Sequence, residues 1–525
     1  MAKLSKSTRT IIIAAAVLLV LGVVLVILML TAPSDEKDSS DGQTTEATVE
    51  ASEDTSFVIT DKEGTEVLKA EITNAYGSYT FDRESCMVTS TDEEGVVTTT
   101  DEYYWVSEQL KGAPSNDTTI KAFMNCLAGL KAAELVEAAA EDLDKYGLES
   151  PVSTATVTFD DNTKKTVHFG ITNPSATSYV YCREDGSNDV YMASYYSTSK
   201  AYSPITDFVS LSITESYNTT EPAELDYFII ERKGLAEPIE ISYMYDVQEE
   251  AEKEDSIVTT FNSHRITSPI VAEVDYTIGQ TACYGLYGMS ASYCVSVAPD
   301  ENMLTEAGMD DPHCKLTFKY GGNRYVVKLG NEIINITESE DGTPDLKTVV
   351  GYYGMVEGSD VLYAFAVDST PWYTLSLEEL VSRRPVSPYI YTCDAVVVTT
   401  PDREYNFIIE GDAEVGSTFS LDGTELDNEK FRELYQHLIS SIGEELYRVE
   451  GDYEPYVTVE FKYRDEYHEV YGTASDKIEF YQSDDRKNII RVNGEVLFKV
   501  RQVFTDRLIQ NIDALLNGGE LELNW

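Results

Sequence analysis

Histidine is the side chain best suited to move a proton or hold a transition metal near neutral pH, and the chain has five, at 168, 264, 313, 437 and 468. They are scattered along the sequence, and no two stand at the spacing of a zinc site. His168 and His468 fall in expected strands, and His437 falls on the polar face of an expected helix. There is no Gly-x-Ser-x-Gly elbow and no Walker phosphate loop, so no catalytic set and no cofactor is indicated. The acidic clusters Glu184-Asp185, Asp310-Asp311 and Glu338-Ser339-Glu340-Asp341 are candidates for weak calcium binding, although none has the EF-hand pattern and solvated turns explain them as well. Seven cysteines, at 86, 126, 182, 283, 294, 314 and 393, are an odd and sparse set with no Cys-x-x-Cys pair. Most read as buried thiols, with one disulfide, Cys283 to Cys294, left open. Tyrosine is abundant, 36 in all. Tyr103-Tyr104-Trp105, Tyr195-Tyr196 and Tyr352-Tyr353 are candidate interaction aromatics, though tyrosine is also a good strand former.

What must position these side chains is a repeat. Tyr146-Gly147-Leu148-Glu149-Ser150-Pro151 has a later, degraded copy, Ala307-Gly308-Met309-Asp310-Asp311-Pro312, with the same Gly-to-Pro spacing. Gly147 supplies the left-handed residue that closes a helix, and Pro151 sends the chain out as a strand. An alternating strand follows each copy, then a Gly after an apolar residue (Gly170 and Gly330), an aromatic pair, another strand and a short closing helix. The repeat markers are therefore Tyr146, Gly147, Leu148, Pro151, Gly170, Gly308, Met309, Pro312 and Gly330.

Three tandem α+β units of antiparallel sheet with packed helices are expected, at 56–215, 225–385 and, more divergent, 389–525. The first has hairpin strands at 57–60 and 67–72. Its helix is capped within Pro114 to Asp117 and carries Ile120, Phe123, Met124, Leu127, Leu130 and Leu135 at helical spacing. The second repeats this order with a weaker helix from Ser268-Pro269 toward Tyr287, an acidic loop at 248–255 and a hairpin insertion at 335–348. The third has strands at 395–398, 406–409, 457–461 and 467–471. Asp427 caps a helix through Phe431, Leu434, Tyr435, Leu438 and Ile442, and a last helix runs from about Arg501 to Leu516.

Residues 10–34 carry no charge, and 11–32 is long and apolar enough to be a transmembrane helix. Lys3, Lys6 and Arg9 precede it and Asp35, Glu36 and Asp38 follow, which puts residues 1–10 in the cytoplasm and the body outside. A cleavable signal peptide is the rival reading. Residues 33–55 are an acidic, polar tether. With 39 basic against 92 acidic residues the formal charge is −53, which argues against nucleic acid as a partner. Apolar content of 42% still calls for a folded body.

The stretch Tyr146 to Pro151, the strands to Gly170 and the strand at Val190-Tyr191 resemble domain of unknown function family 4340, as does the copy from Gly308 to Val381. The resemblance implies a membrane-anchored, extracytoplasmic bacterial protein with an envelope protein as partner, such as an ABC-type transporter, and brings no catalytic residues. The expectation is an accessory or binding protein of the cell envelope and not an enzyme. Paired carboxylates leave no signature in so acidic a chain, so a glycan or peptide hydrolase stands as the alternative.

Overall fold

The strand Ser153–Phe159 shows how the sheets are made. Ser153, Ala155, Val157 and Phe159 are buried and Thr154, Thr156 and Thr158 half-buried, the period-two pattern of a sheet with one face on a core. Val152 is exposed, and Ser153 is buried with its hydroxyl donating to the Ala201 carbonyl at 2.6 Å. The computed structural model describes residues 56–91, 97–215, 224–253, 256–258, 263–337, 346–412, 416–447, 454–483 and 486–524. The expected transmembrane helix 11–32, its cytoplasmic flank and the tether 33–55 lie outside them. Among the described residues no helix is long and apolar enough to cross a membrane.

The protein is mixed α+β, mostly strands, in three nine-stranded antiparallel sheets. The first runs, from edge to edge, Val97–Val106, Gly77–Thr91, Val67–Asn74, Ser153–Phe159, Lys164–Thr172, Tyr179–Glu184, Val190–Ser194, Lys131–Glu137 and Phe57–Val58. The second runs Ala272–Glu273, His264–Ser268, Ile239–Tyr243, Leu225–Arg232, Cys314–Tyr320, Asn323–Thr337, Leu346–Val356, Leu362–Ala366 and Tyr293–Ser296. The third runs Thr424–Glu425, Gly416–Leu421, Glu404–Asp412, Cys393–Thr399, Val457–Tyr463, Ser475–Gln482, Lys487–Val492, Glu495–Arg501 and Glu445–Leu446. Apart from the edge strand Phe57–Val58, which comes first in the first sheet, one route generates all three. The chain starts in mid-sheet, works outward to one edge, crosses through a helix and lays a strand near the far edge. It then returns to the middle and works outward to meet that strand. The crossing helices are Asp117–Ala128, Tyr276–Tyr284 and Asn428–Leu438.

Each crossing helix has a local cause. Asn116 caps the first by accepting from the Thr119 amide at 3.0 Å, and Asp427 caps the third by accepting from the Lys430 amide at 2.9 Å. Ile120, Phe123, Met124 and Leu127 bury one stripe of the first helix in the core of the first sheet. That helix ends at Ala128, so Leu130 and Leu135 do not belong to it: Gly129 closes it and Lys131–Glu137 is a strand. Three more expectations are corrected. The acidic stretch after Tyr243 forms the helix Tyr245–Ala251. Residues 467–471 are helical turns, with His468 at the start of the helix His468–Tyr471, and the returning strand is Ser475–Gln482. His437 is fully buried, because the helix Val503–Leu516 covers the face that looked polar.

The sheets are tied together. Ser212 bridges to Ser290, and the Thr214 hydroxyl accepts from the Met289 amide at 2.7 Å, pinning the chain that leaves the first sheet onto the second. The Gly443 amide donates to the Arg383 carbonyl at 2.7 Å, which ties the chain that leaves the second sheet to the third. One apolar core runs from Leu110 and Val209 through the second and third sheets, and Ser56–Trp525 forms one compact unit.

Candidate functional site

The repeat markers are structural. Gly147 and Gly308 stand at φ 65° and 72°. Their amides donate to Asp144 and Thr305, and the following amides, of Leu148 and Met309, reach back to Leu143 and Leu304. This is the paired bonding of a Schellman closure in both places. Pro151 and Pro312 each stand two residues before their strand. Gly170 and Gly330 let the backbone pass: a Cβ on either would overlap the carbonyl oxygen of Tyr146 or Ala307. A tyrosine hydroxyl then donates to each of these glycines' carbonyls, from Tyr202 to Gly170 at 3.0 Å and from Tyr373 to Gly330 at 2.9 Å. Tyr146 and Leu148 are buried in a small cluster with Leu143 and Val190. None of the nine markers forms a ligand pocket.

The candidate aromatics are not brought together. Trp105 and Tyr352 are core residues, the latter stacked on Tyr373 at 3.6 Å between ring centres. Tyr103 and Tyr353 are half-buried, while Tyr104, Tyr195 and Tyr196 are exposed, Tyr196 at 92%. The histidines are also separate. His168 bridges Thr154 and Asp185, and His264 is buried with its Nε2 2.6 Å from the Leu225 carbonyl. His313 packs on Tyr373, and His437 lies 2.9 Å from Asn511 with burial holding its pKa down at about 4. All seven cysteines are free thiols, five of them buried, with Cys86 exposed and Cys126 half-buried; the Cys283 to Cys294 disulfide is not formed. The acidic pairs have partners already: Glu184 with Lys165, Asp185 with the His168 ring, and Asp311 with Lys233 at 2.6 Å. The cluster at 338–341 lies outside the described residues. Among the described residues no group of three His, Cys, Asp or Glu converges as a metal site.

Two features that the sequence reading did not single out as sites stand out instead. The first is a pair of long hairpins. Gly77–Thr91 with Val97–Val106, and Asn323–Thr337 with Leu346–Val356, root in the core through Tyr79, Phe81, Val326, Val327 and Leu329. Their distal halves are largely exposed on both faces. Met87 and Val97 on the first are exposed at 68% and 63%, and Ile336 and Leu346 on the second at 53% and 65%. Ile334 pairs across the second with half-buried Val349 and shares its face with Ile336, while Leu346, opposite Thr337, lies on the other face. A two-stranded hairpin is marginal by itself in water.

The second is the surroundings of Glu273, where the edge of the second sheet approaches the third. Glu273, on the short edge strand Ala272–Glu273, is register partner to Arg265, and its carbonyl accepts from the Ser382 amide at 2.8 Å. The helix Tyr245–Ala251 meets His468–Tyr471 of the third sheet nearby. Glu273 keeps access to solvent yet is densely surrounded by protein, and this loss of hydration raises its carboxyl to about 6. The Asp476 carboxylate pushes the same way and Arg265 opposes. Asp476 accepts from the Tyr463 hydroxyl and from Asn493 Nδ2. A shallow pocket lined by Arg486, Arg501, Gln502, Val503 and Asp506 opens elsewhere on the third sheet.

A comparison with known families bears on the first sheet and the start of the second. A DUF4340 domain, a domain of unknown function, is found at residues 105–286. The DUF4340 span begins at Trp105, contains the helix Asp117–Ala128 and the strands up to Val190–Ser194, and ends just after Tyr276–Tyr284. The markers Tyr146 to Gly170 lie inside the DUF4340 span, and Gly308 to Gly330 lie outside it. No curated protein and no solved structure matches the chain.

Proposed function

We propose that the chain is a membrane-anchored, extracytoplasmic binding protein of the bacterial cell envelope, accessory to a larger envelope assembly such as an ABC-type transporter. Its body consists of three tandem copies of one α+β unit, at 56–215, 225–385 and 389–525, with the later copies divergent relatives of the first. The shared route of the chain through all three sheets supports this division. The uncharged segment 11–32, with lysine and arginine before it and acids after it, supports the anchor and its orientation.

The observation that carries the binding role is the hairpin Asn323–Thr337 with Leu346–Val356, whose distal half presents Ile334, Ile336, Leu346 and Val350 to solvent. Covering each of these against a partner contributes about 1 kcal/mol, from roughly 25 cal/mol per Å² of apolar area. A tethered body meets a membrane partner at high effective concentration, so a contact of this size suffices.

Glu273 favours a second reading. A carboxyl raised to about 6 is tuned for proton transfer, which would make the surface around Glu273 a place for glycan or peptide hydrolysis. The two readings separate experimentally. Formaldehyde cross-linking is applied to living cells carrying the full chain or a chain whose residues 334–349 are replaced by a tight turn. An adduct with a second envelope protein is expected from the first and lost from the second. Adducts of the chain with itself alone, together with hydrolysis of a cell-wall fragment that Glu273→Gln abolishes, would overturn the binding reading.

A further inference from the structure

Five of the six sheet edges end in strands of two to four residues: Phe57–Val58, Ala272–Glu273, Tyr293–Ser296, Thr424–Glu425 and Glu445–Leu446. Short edge strands are a common way to deny another chain a row of unpaired backbone groups. The sixth edge is Val97–Val106, ten residues long, and among the described residues no strand lies beyond it. The internal comparison sharpens the contrast. At the same place in the sheet order, His264–Ser268 is covered by Ala272–Glu273 and Gly416–Leu421 by Thr424–Glu425. The first sheet lacks that cover.

We infer that the outer edge of Val97–Val106 is a docking site for an extended segment of a protein partner, which adds as a further strand and carries lysine or arginine on the face that bears Glu84 and Glu102. The inference rests on the reading of this chain as a binding protein and names one surface that binds. Backbone pairing supplies the affinity in strand addition, and side chains beside the edge select the sequence. Thr98, Thr99 and Thr100 are exposed and suit β-branched neighbours. The two hairpin strands carry Asp82, Glu84, Asp101 and Glu102 against one base, Arg83, which is engaged with the Thr65 carbonyl and lies over the Tyr103 ring. Glu84 accepts from the Tyr104 hydroxyl at 2.8 Å, so an acidic, tyrosine-supported face flanks the edge. A second copy of this chain is a poor occupant. Antiparallel pairing of the strand with itself about Glu102 sets that carboxylate directly against its copy, and like charges directly opposite are destabilising.

Hydrogen exchange on the full-length chain in detergent tests this with two ten-residue probes, one alternating valine and lysine and one alternating valine and glutamate. With the valine–lysine peptide at about ten times its Kd, exchange within 97–106 is expected to slow about tenfold, and with the valine–glutamate peptide not at all. The double variant Glu84→Lys, Glu102→Lys is expected to reverse that preference while protection of Ser153–Phe159 stays unchanged. If the variant loses protection there too it has unfolded, and the two peptides on the unaltered chain decide. No slowing with either peptide, equal slowing with both, or protection without peptide in a concentration-dependent dimer would overturn the inference. A partner still cross-linked through the other hairpin would then leave the binding reading standing.

Discussion

Gly170 and Gly330 meet a demand that no other residue satisfies, since each has a carbonyl oxygen where a side chain would begin. Gly170→Ala and Gly330→Ala are each expected to lower stability by about 1 to 3 kcal/mol, seen as a lower urea midpoint. An unchanged midpoint would mean that the neighbouring turn can move aside. Glu273 has a different signature. Its carboxyl is raised to about 6 in the folded chain, so between about 4.5 and 6 the unfolded chain loses this proton first. Stability from this group is therefore present below about 4.5, falls as pH rises through that window and is level above it. His437, held down at about 4 by burial, acts in the opposite sense: its contribution is lost as pH falls through the same range. The difference between wild type and Glu273→Gln isolates the Glu273 effect in thermal melts from pH 4 to 7; parallel curves would contradict it. The glycine and proline markers were legible because their constraint is local, a positive φ or a missing amide. Glu273 was not, because residues 380–382, Arg265 and Asp476 make its surroundings. His437 was misread because periodicity sees one covered face of a helix and not the second layer that Val503–Leu516 adds.

At the scale of elements, the crossing helices and long hairpins carry separate loads. Asn116→Ala removes the cap of Asp117–Ala128 and is expected to reduce stability by about 1 kcal/mol, measured by urea unfolding; no change would show that another group takes over the Thr119 amide. Replacing 334–349 by a tight turn removes exposed strand and little core, so stability should stay within about 0.5 kcal/mol of wild type. A large loss would make that hairpin part of the folding unit. The insertion at 335–348 was visible as a polar, glycine-bearing interruption between apolar strands. The strand Gly77–Thr91 was not, because its distal half, rich in Ser and Thr, is exposed on both faces and lacks a buried alternation. The helix through Asp117–Ala128 was read too far because Lys131–Glu137 is built of Ala, Glu and Leu, good helix formers that pairing with Val190–Ser194 holds as strand.

For the whole molecule, the order of elements along the chain was readable, and their order across the sheet was not. Nothing local says that Lys131–Glu137, Tyr293–Ser296 and Glu445–Leu446 each travel to the far side of their sheet, and that shared detour is what relates the third sheet to the other two. The same order also makes Val97–Val106 conspicuous, as the one edge left long where its counterparts are covered. The central claim is that this body faces outward on its anchor and binds an envelope protein through its hairpins. The most direct measurement is photo-cross-linking in living cells from single sites, with the cross-linker at Ile336 or Thr99 on the hairpins and at Glu404 on the third sheet as a control. The account expects an adduct with a second envelope protein from Ile336 or Thr99 and none from Glu404. Equal adducts from all three sites, or none from either hairpin, would contradict it.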